Sequence, residues 1–412
     1  MELIMRLSQL LLRVGRYSAV LILAVPESAL AHGDFLYMPQ AKVQAGIYLS
    51  AQDKGIADDN LWQIPGVLMG GEAKGNEAGF AINDANIRLT WANQDGVFAH
   101  TEVSAHGHEN DLEAKIEQAF GGYHWTNTLG HIKLEGGKMK GAFSLQNPLH
   151  PSDRNFTDAS LPYQAFLGDH FNDAGARAQF MTWHGEKGLS TFGTELWRGD
   201  SFPANKQAEG PAWDVFARYQ HTEGRVQLTV GGWYFRSEAN ERKDDRTEGG
   251  HSHGAATTTT NTRFSGDTQI SGLETQALWK QSDTTTYVLE GELLLHNSDG
   301  LLQDNTRQSN AELKQQGYSL SLGAQYLNHQ LALRYSALKI NNILSGAGST
   351  ILGSDAGLDA NTHRPERLDL SYQYTWHNGL AFRAEFVSDS STKESLNYGR
   401  VSMLWDGTVW EL

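Results

Sequence analysis

The chain has 412 residues, a formal net charge of −15 and no cysteine. A balance this acidic argues against a phosphate-backbone partner, which needs a basic face, so no nucleic acid is expected. Stability must come without disulfides, and beyond residue 31 no apolar run reaches the roughly 20 residues that a spanning helix needs.

At the N-terminus Arg6, Arg13 and Arg16 precede the apolar run 19–25 and then Ala29-Leu30-Ala31. Basic region, short apolar region and A-x-A site are the parts of a secretory signal. Cleavage after residue 31 would leave His32 first, and the length of the basic region makes Met5 a second candidate start. Residues 32–412 are expected to form a single domain.

From there the chain alternates apolar and polar residues in about sixteen segments: 41–52, 79–93, 97–106, 112–120, 129–140, 174–184, 189–198, 212–221, 225–236, 268–280, 285–296, 312–327, 330–340, 368–376, 380–387 and 396 to the end. The clearest pair is 368–387. Leu368, Leu370, Tyr372, Tyr374 and Trp376 fall on one face, and Asp369, Ser371, Gln373 and Thr375 on the other. Side chains of a strand alternate with period two, and Asn378-Gly379 between the arms signals a hairpin.

Tight turns such as 94–96, 222–224 and 328–329 alternate with long connections at 53–78, 141–172, 199–211, 237–267, 297–311, 341–362 and 389–395. The short connection 107–111 is the exception. An exported, cysteine-free, aromatic-rich chain of this rhythm is expected to be an all-β transmembrane antiparallel barrel in an outer membrane, with short turns inside and long loops outside. A soluble sandwich or solenoid would alternate too, but the rhythm and the aromatic strand ends favour the barrel.

With apolar residues facing lipid, polar residues line the lumen. Glu102, Glu113, Lys115, Glu117, Lys133, Glu135 and Arg177 are the expected pore-lining set. His100, Glu102, His106 and His108 share one face, and imidazole with carboxylate suits zinc, copper or nickel. A second histidine pair, His251 and His253, sits in a Gly-rich stretch of the loop 237–267, and His32 is a third candidate ligand. No cofactor is required by these patterns; zinc is the metal they would suit.

The stretch 141–172 differs from the other loops, holding Pro148, Pro151 and Pro162 with aromatics between them. It is too apolar for water and too broken for a strand, so it is expected to fold into the barrel. Asn147, His150, Asp153 and Arg154 then form the expected constriction.

The strand number, the inward third loop, the run G-K-M-K-G-A-F at 137–143 and the run D-A-G-A-R at 173–177 together resemble the sixteen-stranded porins of Gram-negative outer membranes, nearest the phosphate-selective porin-like group. The closing run 407–412 resembles the signal read by the barrel-assembly machinery, although Leu412 stands where Phe is usual. The resemblance implies passive diffusion of small hydrophilic solutes, commonly through a homotrimer embedded in outer-membrane lipid. Phosphate selectivity is not carried over, because Lys and Arg look scattered in an acidic chain. A channel leaning toward cations or metal ions is the first expectation. A metal-capturing surface protein, using the histidine-rich loop and the lumen face, is the alternative, and an adhesin acting through its outer loops is a third. No G-x-S-x-G, H-E-x-x-H or phosphate loop marks an enzyme.

Overall fold

Ile87 and Leu89 point outward and are half exposed, while Arg88 between them is 5 % exposed. That alternation runs around the whole wall. The computed structural model describes residues 39–55, 62–75, 77–108, 111–208, 210–244, 261–359 and 362–412. The secretory signal, His32, His251 and His253 lie outside the described residues.

Among the described residues sixteen strands follow one another: β1 Gln40–Gln52, β2 Gly79–Ala92, β3 Val97–His108, β4 Asp111–Thr126, β5 His131–Lys140, β6 Asn172–His184, β7 Gly188–Trp197 and β8 Ala212–Glu223 make the first half. β9 Val226–Arg242, β10 Arg263–Lys280, β11 Thr285–Gln303, β12 Gln308–Tyr326, β13 His329–Ser345, β14 Glu366–Thr375, β15 Leu380–Asp389 and β16 Leu396–Glu411 make the second. Among the described residues two short helices, α1 Leu161–Leu167 and α2 Ser349–Asp355, lie in outer loops.

Each strand pairs antiparallel with its neighbours in sequence, and β1 closes on β16 from Lys42↔Glu411 to Gln52↔Arg400. Closure satisfies every ladder, which lipid requires. Val103, Leu134, Phe192, Leu273, Leu320 and Phe386 belong to the exposed apolar face. Such a surface is a lipid belt, not a water-facing one. Trp91, Trp183, Trp279, Tyr287, Tyr326 and Trp376 stand exposed near the tight turns, forming an aromatic girdle at that rim. The belt and the closed wall make this an outer-membrane barrel.

Two expectations need correction. The connection 297–311 is mostly strand, because β11 continues to Gln303 and β12 begins at Gln308. Above the lipid belt a strand needs no apolar face, so alternation fades while the pairing Asn297↔Lys314 through Gln303↔Gln308 persists. Likewise β3 reaches His108 and β4 runs on to Thr126. The second correction lies in β4. A bulge opposite Glu102/Val103 turns Glu117 and Gln118 both inward, so the face alternation reverses there.

Candidate functional site

Residues 141–171, between β5 and β6, fold into the lumen. Their apolar side chains explain why. Phe143, Leu161, Tyr163, Phe166, Leu167 and Phe171 are buried with Trp233 and Phe235 of β9, Ile270 of β10, Leu294 of β11 and Leu338 and Ile340 of β13. Burying one such side chain contributes roughly 1.5–3 kcal/mol. α1 starts with a proline in its first turn and ends at Gly168 in the left-handed region, φ 65°. Pro162 sits against Gly317 of β12, where a Cβ would come within 2.7 Å of the ring.

Polar bonds then tie the loop to the wall on two sides. On one side carboxylates receive it. Ala142 N donates to Glu195 of β7 (3.0 Å), Leu145 N to Glu274 of β10 (2.8 Å), and Tyr163 Oη to Glu292 of β11 (3.0 Å). On the other side four consecutive strands present guanidinium groups. Arg334 of β13 donates to Asp158 O (2.9 Å), Arg367 of β14 to Ala159 O, Arg383 of β15 to Arg154 O (2.6 Å), and Arg400 of β16 to Asp158 Oδ2 (3.2 Å). Glu385 of β15 accepts from Thr157 N at 2.9 Å. The loop therefore crosses the barrel and is held from opposing walls.

The expected constriction residues all lie in this loop, in different roles. Asn147 is buried and closes the loop on itself: Nδ2 donates to Gly141 O (2.8 Å) and Phe171 O (2.9 Å), and Oδ1 accepts from Phe171 N (2.6 Å). His150 Nε2 is 2.9 Å from Glu102 Oε2. Burial holds the His150 imidazole below its ordinary pKa, with Lys140 adding to the effect and Glu102 opposing it. Arg154 pairs with Asp169 at 3.1 Å. Burial alone would raise Asp169, yet Arg154 and His170 hold its carboxyl well below the usual range. Asp153 is half-buried.

Among the expected lining residues, Glu102, Glu117, Lys133, Glu135 and Arg177 are buried inside the wall. Arg177 is clamped between Glu135 (3.2 Å) and Glu195 and also donates to Lys140 O. Lys133 stands 3.4 Å from Glu135. Lys115 pairs with Glu72 of the first outer loop, and Glu113 is exposed opposite His106 near the outer rim. A cavity of about 80 Å³ beneath the loop is lined by Gln44, Arg88, Thr90, His100, Lys140 and Arg177, among others.

Of the expected metal ligands on β3, the structure sets His100 and His106 apart. His100 and His106 are six positions apart on β3, about 20 Å along the strand. His100 Nδ1 bonds Thr90 Oγ1 (2.9 Å) and its ring packs on Phe120, while His106 Nδ1 bonds Asn83 O at 2.6 Å. For His108 only the backbone, paired with Asp111, is described.

Sequence reading missed two features. The arginines judged scattered form an arc on β13–β16, because each strand contributes an inward arginine that bonds residues 154–159 of the loop. In register Arg334 faces Asp369 and Arg400 faces Glu385, pairings that alternation within one strand does not reveal. The second is the meeting of Glu72, Glu117 and His170, whose positions in sequence give no hint of contact.

Neither a family model nor a curated protein matches this sequence. Solved structures share its fold. The outer membrane channel DcaP of Acinetobacter baumannii is 12 % identical, with a TM-score of 0.51 over 92 % of this chain and 100 % of that one. OmpT of Vibrio cholerae, an outer membrane protein folded in vitro and in its trimer form, is 10 % identical, with a TM-score of 0.52 over 90 % and 100 %. An anion-selective porin from Comamonas acidovorans is 10 % identical, with a TM-score of 0.48 over 89 % and 98 %. The likeness is one of fold: a closed sixteen-strand antiparallel barrel of the outer-membrane type.

Proposed function

We propose that the protein is a porin-like channel for passive diffusion of small hydrophilic solutes across the outer membrane. The observation that carries this reading is the loop 141–171, held across a polar lumen between the carboxylates of β7, β10 and β11 and the arginines of β13–β16. A lumen lined by ionised groups suits hydrated solutes, and a loop fixed from two sides sets a constant aperture. The Acinetobacter protein of the same fold, an outer membrane channel, supports the same reading.

The net acidity of the chain favours cations, while the arginine arc moderates that preference at the loop. The proposal is therefore a weak cation leaning, measured as the reversal potential across a salt gradient in planar bilayers. A homotrimer is part of the proposal, supported by the trimer form of the Vibrio protein and tested by light scattering in detergent. Insertion by the barrel-assembly machinery through residues 407–412 belongs to it as well. We read the barrel as non-enzymatic. The buried Ser298–His296 pair (3.2 Å) has no hydrogen-bond partner on His296 Nδ1, whereas a catalytic base needs an orienting group there.

A further inference from the structure

We propose a divalent-cation site at the seam between the first and third outer loops, built from Glu72, Glu117 and His170. One ligand atom of each lies within 4.8 Å of the others. His170 Nε2 is 3.1 Å from Glu117 Oε1 and 3.9 Å from Glu72 Oε2, while its Nδ1 is 3.2 Å from Asp169 Oδ2. A carboxylate on one ring nitrogen fixes the imidazole and aims the other nitrogen at Glu117 and Glu72, the arrangement that supports ligating histidines.

A second observation points the same way. Glu117 is 3 % exposed, and its Oε2 has no hydrogen-bond partner. Lys115 Nζ stands 3.4 Å from that oxygen and also pairs with Glu72. Positive charge is thus already drawn to the point between the two carboxylates. The lysine that supplies it is partly exposed, and an ion would displace it from both carboxylates.

The backbone prepares the site. Gly71 and Gly168 both adopt left-handed φ, +64° and +65°, and a Cβ on Gly71 would lie 2.9 Å from Gly168 Cα. Glu72 N donates to Gly168 O at 2.9 Å. This contact delivers Glu72 and His170 to the same wall position of β4.

One imidazole with two carboxylates suits zinc and its neighbours. Around such an ion the ligand atoms stand about 3.4 Å apart. The half-exposed Glu72 side chain supplies the small closure needed, leaving a further position to water. An ion there would join the first loop, the third loop and β4. The inference does not rest on the channel reading, since binding is measured on protein that conducts nothing.

The test uses protein purified from the outer membrane with His251→Ala and His253→Ala, which removes the histidine pair of the Gly-rich stretch. Zn²⁺ is titrated by calorimetry and Co²⁺ by visible absorption. One equivalent of each is expected, with the strong absorption bands of a low-coordinate Co²⁺ centre. Replacements His170→Ala and Glu117→Gln should weaken binding at least tenfold. Glu72→Gln, at a half-exposed loop position that barrel folding does not need, should do the same. Heat-modifiable migration verifies each barrel. Absence of saturable binding in the parent, or equal affinity in folded His170→Ala and Glu72→Gln variants, overturns the proposal.

Discussion

His150 Nε2 lies 2.9 Å from Glu102 Oε2, joining the middle of the inward loop to the wall of β3. Glu102 is fully buried and also accepts from Gln118 Nε2 at 2.8 Å. Removing the imidazole leaves a buried carboxylate short of a donor. A hydrogen bond to a charged group contributes roughly 1.5–3 kcal/mol. His150→Ala should therefore lower stability by about that much in urea titration and increase current noise, whereas His150→Gln should keep most of both.

The same pair predicts a pH response. The groups facing His150 are Glu102, Asp84, Asp153 and Lys140. Its folded pKa lies below the ordinary imidazole value of about 6.5, so folding favours the neutral ring. The stabilisation is complete above the ordinary value and is lost as pH falls through the folded one. Acidification should raise open-channel noise in the parent and not in His150→Gln. An identical acid titration in both proteins would refute this.

The arginine arc makes a separate prediction. Arg383 donates to Arg154 O and to Gln373 Oε1 (3.0 Å). Arg383→Leu should loosen the loop, raise single-channel conductance and shift the reversal potential toward cations. Unchanged conductance would show that the loop holds without it.

Pro162 packs where Gly317 has no side chain. Gly317→Val should push α1 off β12, and conductance should rise while heat-modifiable migration persists. A barrel that fails to form would mean that the glycine serves the wall instead of the loop.

The lipid belt is tested at Leu273, exposed on the outer face of β10. Leu273→Arg should cost about 2–4 kcal/mol in bilayer folding equilibria. Gln276→Arg, facing the lumen from the same strand, should be close to neutral.

Much of this was legible in the sequence for a simple reason. Lipid outside and water inside force period-two alternation, so Val97, Val103, His100 and Glu102 declared their faces. Prolines and aromatics marked 141–171 as packed. What alternation does not encode is depth. Nothing in residues 297–303 distinguishes a loop from a strand that has left the lipid, and nothing local marks the bulge at Glu117. Register between strands is equally silent, which is why Arg334, Arg367, Arg383 and Arg400 looked scattered. The contact of Glu72 with His170 depends on two loops meeting at Gly71 and Gly168, a tertiary event with no spacing of its own.

The channel reading requires that residues 141–171 narrow an open water path. Planar-bilayer conductance of the parent, compared with a variant whose residues 145–169 are replaced by a short Gly-Ser linker, tests it most directly. Steady ohmic channels are expected from the parent, and a larger conductance from the variant. A heat-modifiable parent barrel that never conducts, or equal conductance in the two proteins, would contradict it.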